Sequence, residues 1–140
     1  MRRMILGKSK GLPINYNSIV LGTQYTPYAY LIDKTTKQNV ISFNYYVRAI
    51  AEDDNNIYLG GAFSGYFKVI RKSDKAELTG YPTFNTQLRT IAEDNDNIYL
   101  GGGFTGRFKV IRKSDKAEIT GYPTLSVFDA VLAIAVRRLD

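Results

Sequence analysis

The sequence predicts an all-β fold made by copying one four-stranded unit, and three observations carry that prediction. The segment 57–82, IYLGGAFSGYFKVIRKSDKAELTGYP, returns 41 residues later as 98–123, IYLGGGFTGRFKVIRKSDKAEITGYP. The copies differ only at 62/103, 64/105, 66/107 and 78/119. A period in the low forties, written in short β-branched and aromatic runs, is that of a four-stranded sheet unit. The eleven tyrosines, with many Ile, Val and Thr, favour sheet over helix.

Within one unit each element has a local cause. Val47 to Glu52 (VRAIAE) reads as a first strand with small residues on one side. Asp53 to Asn56 follows as a turn, because Asp and Asn bond their own main chain and tolerate left-handed angles. Ile57 to Phe63 is the second strand, with Gly60 and Gly61 where a bulge or a close neighbour excludes a side chain. Ser64 and Gly65 turn the chain into a third strand, Phe67 to Arg71. Lys72 to Lys75 turn it again into a fourth, Ala76 to Tyr81, which Pro82 ends.

A more divergent copy lies at the front. Ile19 to Gly22 aligns with Ile57 to Gly60 at an offset of 38, which puts Tyr25 on Phe63, Leu31 to Lys34 on Val69 to Lys72, and Val40 on Leu78. At the back, Val131 to Ala135 matches Leu88 to Ala92 and supplies one more first-type strand. Phe128, Val131, Leu132, Ala135, Val136 and Leu139 also fall at helical spacing, but the repeat register favours a strand. The chain therefore divides into units of about 17–56, 57–97 and 98–140 in one repeat domain, with an N-terminal strand within 1–12 that echoes Val69 to Ser73.

Composition excludes several chemistries. Cysteine and histidine are both absent, which removes disulfides, thiolate and imidazole metal sites, and every Ser-His-Asp or Cys-His arrangement. The apolar run after Arg2 and Arg3 stops at Gly7, short of a signal peptide. Val127 to Val136 is about half the roughly 20 residues a membrane-spanning helix needs. A cytoplasmic or virion-associated location is the resulting expectation. The net charge of +6 favours polyanions only through non-specific electrostatics, so specific nucleic-acid binding is not expected.

The pattern VRAIAEDDNNIYLGGAFSG, repeated as LRTIAEDNDNIYLGGGFTG, resembles blades of bacterial and phage β-propellers with a D-x-x-I-Y-hydrophobic-G-G-x-F core. The resemblance covers roughly residues 17 to 136. It implies a ring of blades with the first strand nearest the central channel, which suits Ala49, Ala51, Ala92, Ala133 and Ala135. Propellers close with about four to eight blades, and this chain has three units. Homo-oligomerisation, with a dimer forming a six-bladed ring, resolves the mismatch. A fragment of a longer protein would resolve it too. A single-chain β-trefoil, which closes with three four-stranded repeats, is the rival architecture.

Two sets of residues are candidates for binding. Lys68, Arg71 and Lys72 recur as Lys109, Arg112 and Lys113. They read either as solvated edge charges that discourage edge-to-edge pairing or as a repeated positive rim for an acidic polymer or glycan. Tyr66 and its counterpart Arg107 mark a position where recognition could differ between units. Asp53, Asp54, Asp94 and Asp96 form oxygen-rich loops that could hold Ca²⁺, although a polar hairpin turn is the plainer reading and the EF-hand pattern is missing. Gly60–Gly61 and Gly101–Gly103 lack the context of a phosphate loop.

Nothing here is a catalytic motif, and no cofactor is expected. The expectation is a non-enzymatic scaffold or binding module that self-associates into a closed ring, as a phage-particle or cell-surface component. A carbohydrate-binding module comes second. A glycosidase-type hydrolase using Glu52 and Glu93 comes last, since it needs the two carboxylates about 5 to 9 Å apart.

Overall fold

The computed structural model describes residues 18–22, 29–43, 46–126 and 129–137. Among these residues the chain is all β and contains no helix, so none is long and apolar enough to cross a membrane. Strands β1 (Ser18–Gly22), β2 (Ala29–Asp33) and β3 (Asn39–Phe43) form a three-stranded antiparallel sheet in that order. Strands β4 (Val47–Glu52), β5 (Asn56–Gly61), β6 (Phe67–Arg71) and β7 (Glu77–Leu78) form a second meander. The third, β8 (Leu88–Glu93), β9 (Asn97–Gly102), β10 (Phe108–Arg112) and β11 (Glu118–Ile119), repeats the second. None of the three sheets closes on itself.

Register confirms that the second and third sheets are one design used twice. Ile50 faces Leu59 and Ala51 faces Tyr58, as Ile91 faces Leu100 and Ala92 faces Tyr99. Both first strands carry a register shift, between Val47 and Ala49 and between Leu88 and Thr90, opposite the paired glycines. The divergent first sheet keeps the same third turn. Lys37, Lys75 and Lys116 all sit at φ near +64° and donate from their N–H to the carbonyls of Asp33, Arg71 and Arg112. That alignment has the 38-residue offset of the sequence reading, so the first unit shares the hairpin although few of its residues match.

Three strand expectations need correction. The second strand ends at Gly61, not Phe63, because Ala62 donates to the Tyr46 carbonyl and Tyr66 to the Phe63 carbonyl, forming a turn. The fourth strands are two residues long instead of six. Gly80 and Gly121 take φ of +91° and +97°, which no strand residue adopts, and the following Pro has no N–H to donate. β3, with neither residue, runs for five. Finally, 129–137 is neither strand nor helix. The N-terminal strand within 1–12 and the Tyr25 alignment lie outside the described residues.

The sheets stack in chain order, with β4 packed on β1 and β8 packed on both β4 and β5. Leu31, Ile57, Leu59 and Ile70 fill the layer between the first two sheets. Tyr58, Val69, Leu88, Ile98, Leu100 and Ile111 fill the next. The second sheet is thus buried on both faces, which is why β5 reads as a continuous apolar run rather than an alternation. Each fully buried aliphatic side chain contributes about 1.5–3 kcal/mol. Phe67 extends the second layer edge-on to Tyr81 and Phe84, with ring centroids 5.8 and 6.0 Å apart.

Glycines make the stacking possible. A Cβ on Gly60 would lie 2.7 Å from the Cβ of Leu88, so the next sheet's first strand rests directly on the β5 backbone. A Cβ on Gly101 would likewise lie 2.4 Å from Cγ1 of Val131, and the Val131 N–H donates to the Gly102 carbonyl at 3.3 Å. Gly22 faces Ile50 and Val47 in the same way, at a looser 3.4 and 3.9 Å. Val131 therefore lies on the third sheet where Leu88 lies on the second.

Candidate functional site

Two kinds of turn meet at one end of the strands. In the turn after β4, Asp53 Oδ1 accepts the N–H groups of Asn55 and Asn56 at 2.9 and 2.8 Å. Asp94 accepts those of Asp96 and Asn97 in the turn after β8, both at 2.9 Å. Oδ2 of each then accepts a tyrosine hydroxyl from the following strand, Tyr58 on Asp53 and Tyr99 on Asp94. The turn after β6 folds over this one: the N–H of Lys72 donates to the Asn55 carbonyl and that of Lys113 to the Asp96 carbonyl, both at 2.8 Å.

The lysine side chains then point inward. Lys72 is 2% exposed, donates to the Asp53 carbonyl at 2.7 Å and pairs with Glu52 at 3.3 Å. Lys113 binds Glu93 of its own sheet and Asp53 of the preceding one, both at 2.8 Å. Its ammonium also lies 5.5 Å from the centroid of the Tyr58 ring. The outcome is an open polar cleft of about 440 Å³ spanning the second and third units. Four carboxylates (Glu52, Asp53, Asp54, Glu93) and two ammonium groups line it, with Tyr58, Tyr81 and three asparagines.

Its electrostatics follow from those bonds. Burial pushes the Asp53 carboxyl up, but hydrogen bonds from Lys113, Tyr58 and the N–H groups of Asn56 and Asn55 outweigh it and hold it below its ordinary range. Burial, then the hydrogen bond to Asp53 and its charge, push the Tyr58 hydroxyl far above the ordinary tyrosine range. Burial and the Asp53 charge raise Tyr81 as well. Asp94 repeats the pattern of Asp53: burial raises it, and Tyr99 and the turn N–H groups bring it below normal.

The basic residues expected to form one rim are divided by the structure. Lys68, Lys109, Arg71 and Arg112 remain on the strand surface, but each is paired within its own unit. Lys68 meets Glu77 at 2.8 Å and Lys109 meets Glu118 at 3.1 Å. Arg71 meets Asp74, and Arg112 meets Asp115, both at 2.7 Å. Lys72 and Lys113 face the acidic cleft. Tyr66 and Arg107 lie at the opposite end of the strands, each at positive φ in the turn after the second strand of its sheet. There Arg107 donates to the Gly103 carbonyl and to the Ser126 carbonyl.

For the calcium candidates, Asp53 and Asp94 spend both carboxylate oxygens as acceptors within the fold. Asp54 and Asp96 are exposed and do not occupy equivalent positions, since Asn95 replaces Asp54 and Asp96 replaces Asn55. Among the described residues no group of three metal-ligating side chains converges. The cross-unit bond from Lys113 to Asp53, and Tyr81 as a wall, were not visible in the sequence. The equal spacing of Asp53 to Lys72 and Asp94 to Lys113 signals only the bonds within a unit.

No family model matches the chain, and no curated protein matches it. Among solved structures it is similar to the hydrazine synthase of Kuenenia stuttgartiensis, with a TM-score of 0.57 at 15% sequence identity. The match covers 81% of this chain and 37% of that one. At this identity the likeness is one of fold.

Proposed function

We propose that the chain is a non-enzymatic β-propeller segment, a scaffold and binding module that self-associates into a closed ring in which each sheet is one blade. One observation carries this reading: a single stacking step is used three times, with Val47 and Ile50 over Gly22, Leu88 over Gly60 and Val131 over Gly101. A head-to-tail step that repeats must either close or extend without limit. Two copies supply six sheets, within the range in which propellers close. Near-identical units also suit a symmetric surface better than an active site, which needs unlike residues at one point.

The cleft gives this module a polar face. Four carboxylates against two internally committed lysines favour a hydroxyl-rich or cationic ligand over a polyanion. Carbohydrate binding is accordingly the second reading, favoured by Tyr81, Asn55 and Asn95 on the wall. Small-angle X-ray scattering tests the architecture: the expected particle is a two-chain disc with a central channel. A compact one-chain particle would instead support the β-trefoil. A glycan array tests the ligand, with loss of signal in Tyr81→Ala expected for any sugar bound in the cleft.

A further inference from the structure

The first sheet and the C-terminal segment each lack what the other has. β5 and β9 are inner strands, with β4 and β8 on one side and β6 and β10 on the other. Their counterpart β1 is an edge strand among the described residues. The consequence is visible in burial. Ile57, Leu59, Ile98 and Leu100 are all fully buried, whereas Ile19 and Leu21 at the same repeat positions are 43% and 42% exposed.

Residues 131–136 are the complement. They carry the sequence of a first-type strand, and Val131 already rests on Gly101 as Leu88 rests on Gly60. β8 also pairs edge to edge with β9, the second strand of its own sheet, whereas 131–136 has no such strand beside it among the described residues. Leu132 is left 66% exposed. The stack runs from the first sheet through the second to the third, so this segment sits at the far end from β1.

We infer that residues 131–136 of a second copy add to the edge of β1 that is unpaired among the described residues, completing the first sheet as a four-stranded blade across the junction between chains. This inference rests on the ring reading above and specifies its interface. An exposed strand edge with its main-chain groups unpaired is the template for such addition. The register follows from the two sheets that have their first strand. Ile50 faces Leu59 and Ile91 faces Leu100, so Ile134 of the second copy faces Leu21. Ala51 and Ala92 face Tyr58 and Tyr99, which places Ala135 opposite Val20. Glu52 and Glu93 face Ile57 and Ile98, which places Val136 opposite Ile19. There Val136 stands where the inner sheets have glutamate, so the junction is more apolar than the seams within a chain. A slip of one residue would turn every side chain to the wrong face, so the register is testable on its own.

The chain has no cysteine, which makes disulfide trapping unambiguous. Directly opposed antiparallel residues have Cα atoms roughly 4.5–5.5 Å apart, inside the disulfide range. Leu21→Cys chains and Ile134→Cys chains, made separately and carrying different tags, are mixed and oxidised. The expected result is a covalent heterodimer at least tenfold more abundant than the homodimers, or than heterodimers of Leu21→Cys with Ala133→Cys or Ala135→Cys. Ile19→Cys with Val136→Cys repeats the test at a second position, should either first variant fold poorly. A dimer by light scattering without the heterodimer crosslink would overturn the interface and leave the ring reading standing. A native chain that is monomeric would overturn both. An internal disulfide in a chain carrying both Leu21→Cys and Ile134→Cys would overturn the pairing between chains in favour of closure within one.

Discussion

Lys113 bonds Asp53, 60 residues earlier in the chain, at 2.8 Å, and so ties the turn of one sheet to that of the next. The same ammonium holds Glu93 at 2.8 Å. Removing it strands two partly buried carboxylates, each of which loses a charge-assisted hydrogen bond. Lys113→Met is expected to cost about 2–3 kcal/mol in urea denaturation. Lys109→Met, which breaks the surface pair with Glu118 and the contact of the ammonium with the Phe84 ring, should cost about 1 kcal/mol. Equal losses would contradict the distinction.

Acid stability follows from Asp53. Its folded-state pKa is lowered, so its contribution is fully present above the unfolded value of 3.8 and is lost as pH falls toward the folded value. The urea midpoint is expected to drop as pH falls below about 3.8, and Asp53→Asn should shrink that drop. Asp74 is also lowered, to about 2, by hydrogen bonds from the Arg71 guanidinium, yet it lies at the surface, half exposed. Its share should vanish in about 0.5 M salt, while that of Asp53 persists.

Alkaline stability has the opposite sign. Tyr58 is raised, so its contribution is fully present below the ordinary 10.0 and is lost as pH rises above it, where the unfolded chain ionises and the folded one does not. The urea midpoint should fall from about pH 10 upward, less steeply in Tyr58→Phe. An unchanged slope would show that Tyr58 is not the buried donor to Asp53.

Glycine substitutions test the stacking step. Gly60→Ala drives a methyl into the Leu88 Cβ at 2.7 Å and should cost about 1–3 kcal/mol. Gly22→Ala meets Ile50 Cδ1 at 3.4 Å and Val47 at 3.9 Å, ordinary contact distances, and should be close to neutral in thermal unfolding. A similar cost at both sites would contradict the difference in seating.

Much of this fold could be read from the residues, because its causes are local. The turn at Asp53 to Asn56 and the strands β4 and β6 lie where the side-chain chemistry placed them. The divergent first unit is legible because Ile19 to Gly22 keeps the apolar run and its glycine, and Leu31 to Lys34 and Val40 keep the same offset. The fourth strands were overextended because the positive φ at Gly80 and Gly121 is set by where each turn leaves its sheet. The cleft was legible only in part. Asp53 and Lys72 recur at fixed spacing, but which lysine reaches which carboxylate depends on how one sheet is offset against the next. For that reason Lys72 and Lys113 read as rim charges in the sequence and line an acidic cleft in the structure.

Self-association is the central claim, and solution mass by light scattering across a concentration series tests it most directly. The account predicts a stable particle of twice 15.8 kDa that persists on dilution. A well-folded monomer of 15.8 kDa at every concentration would contradict it.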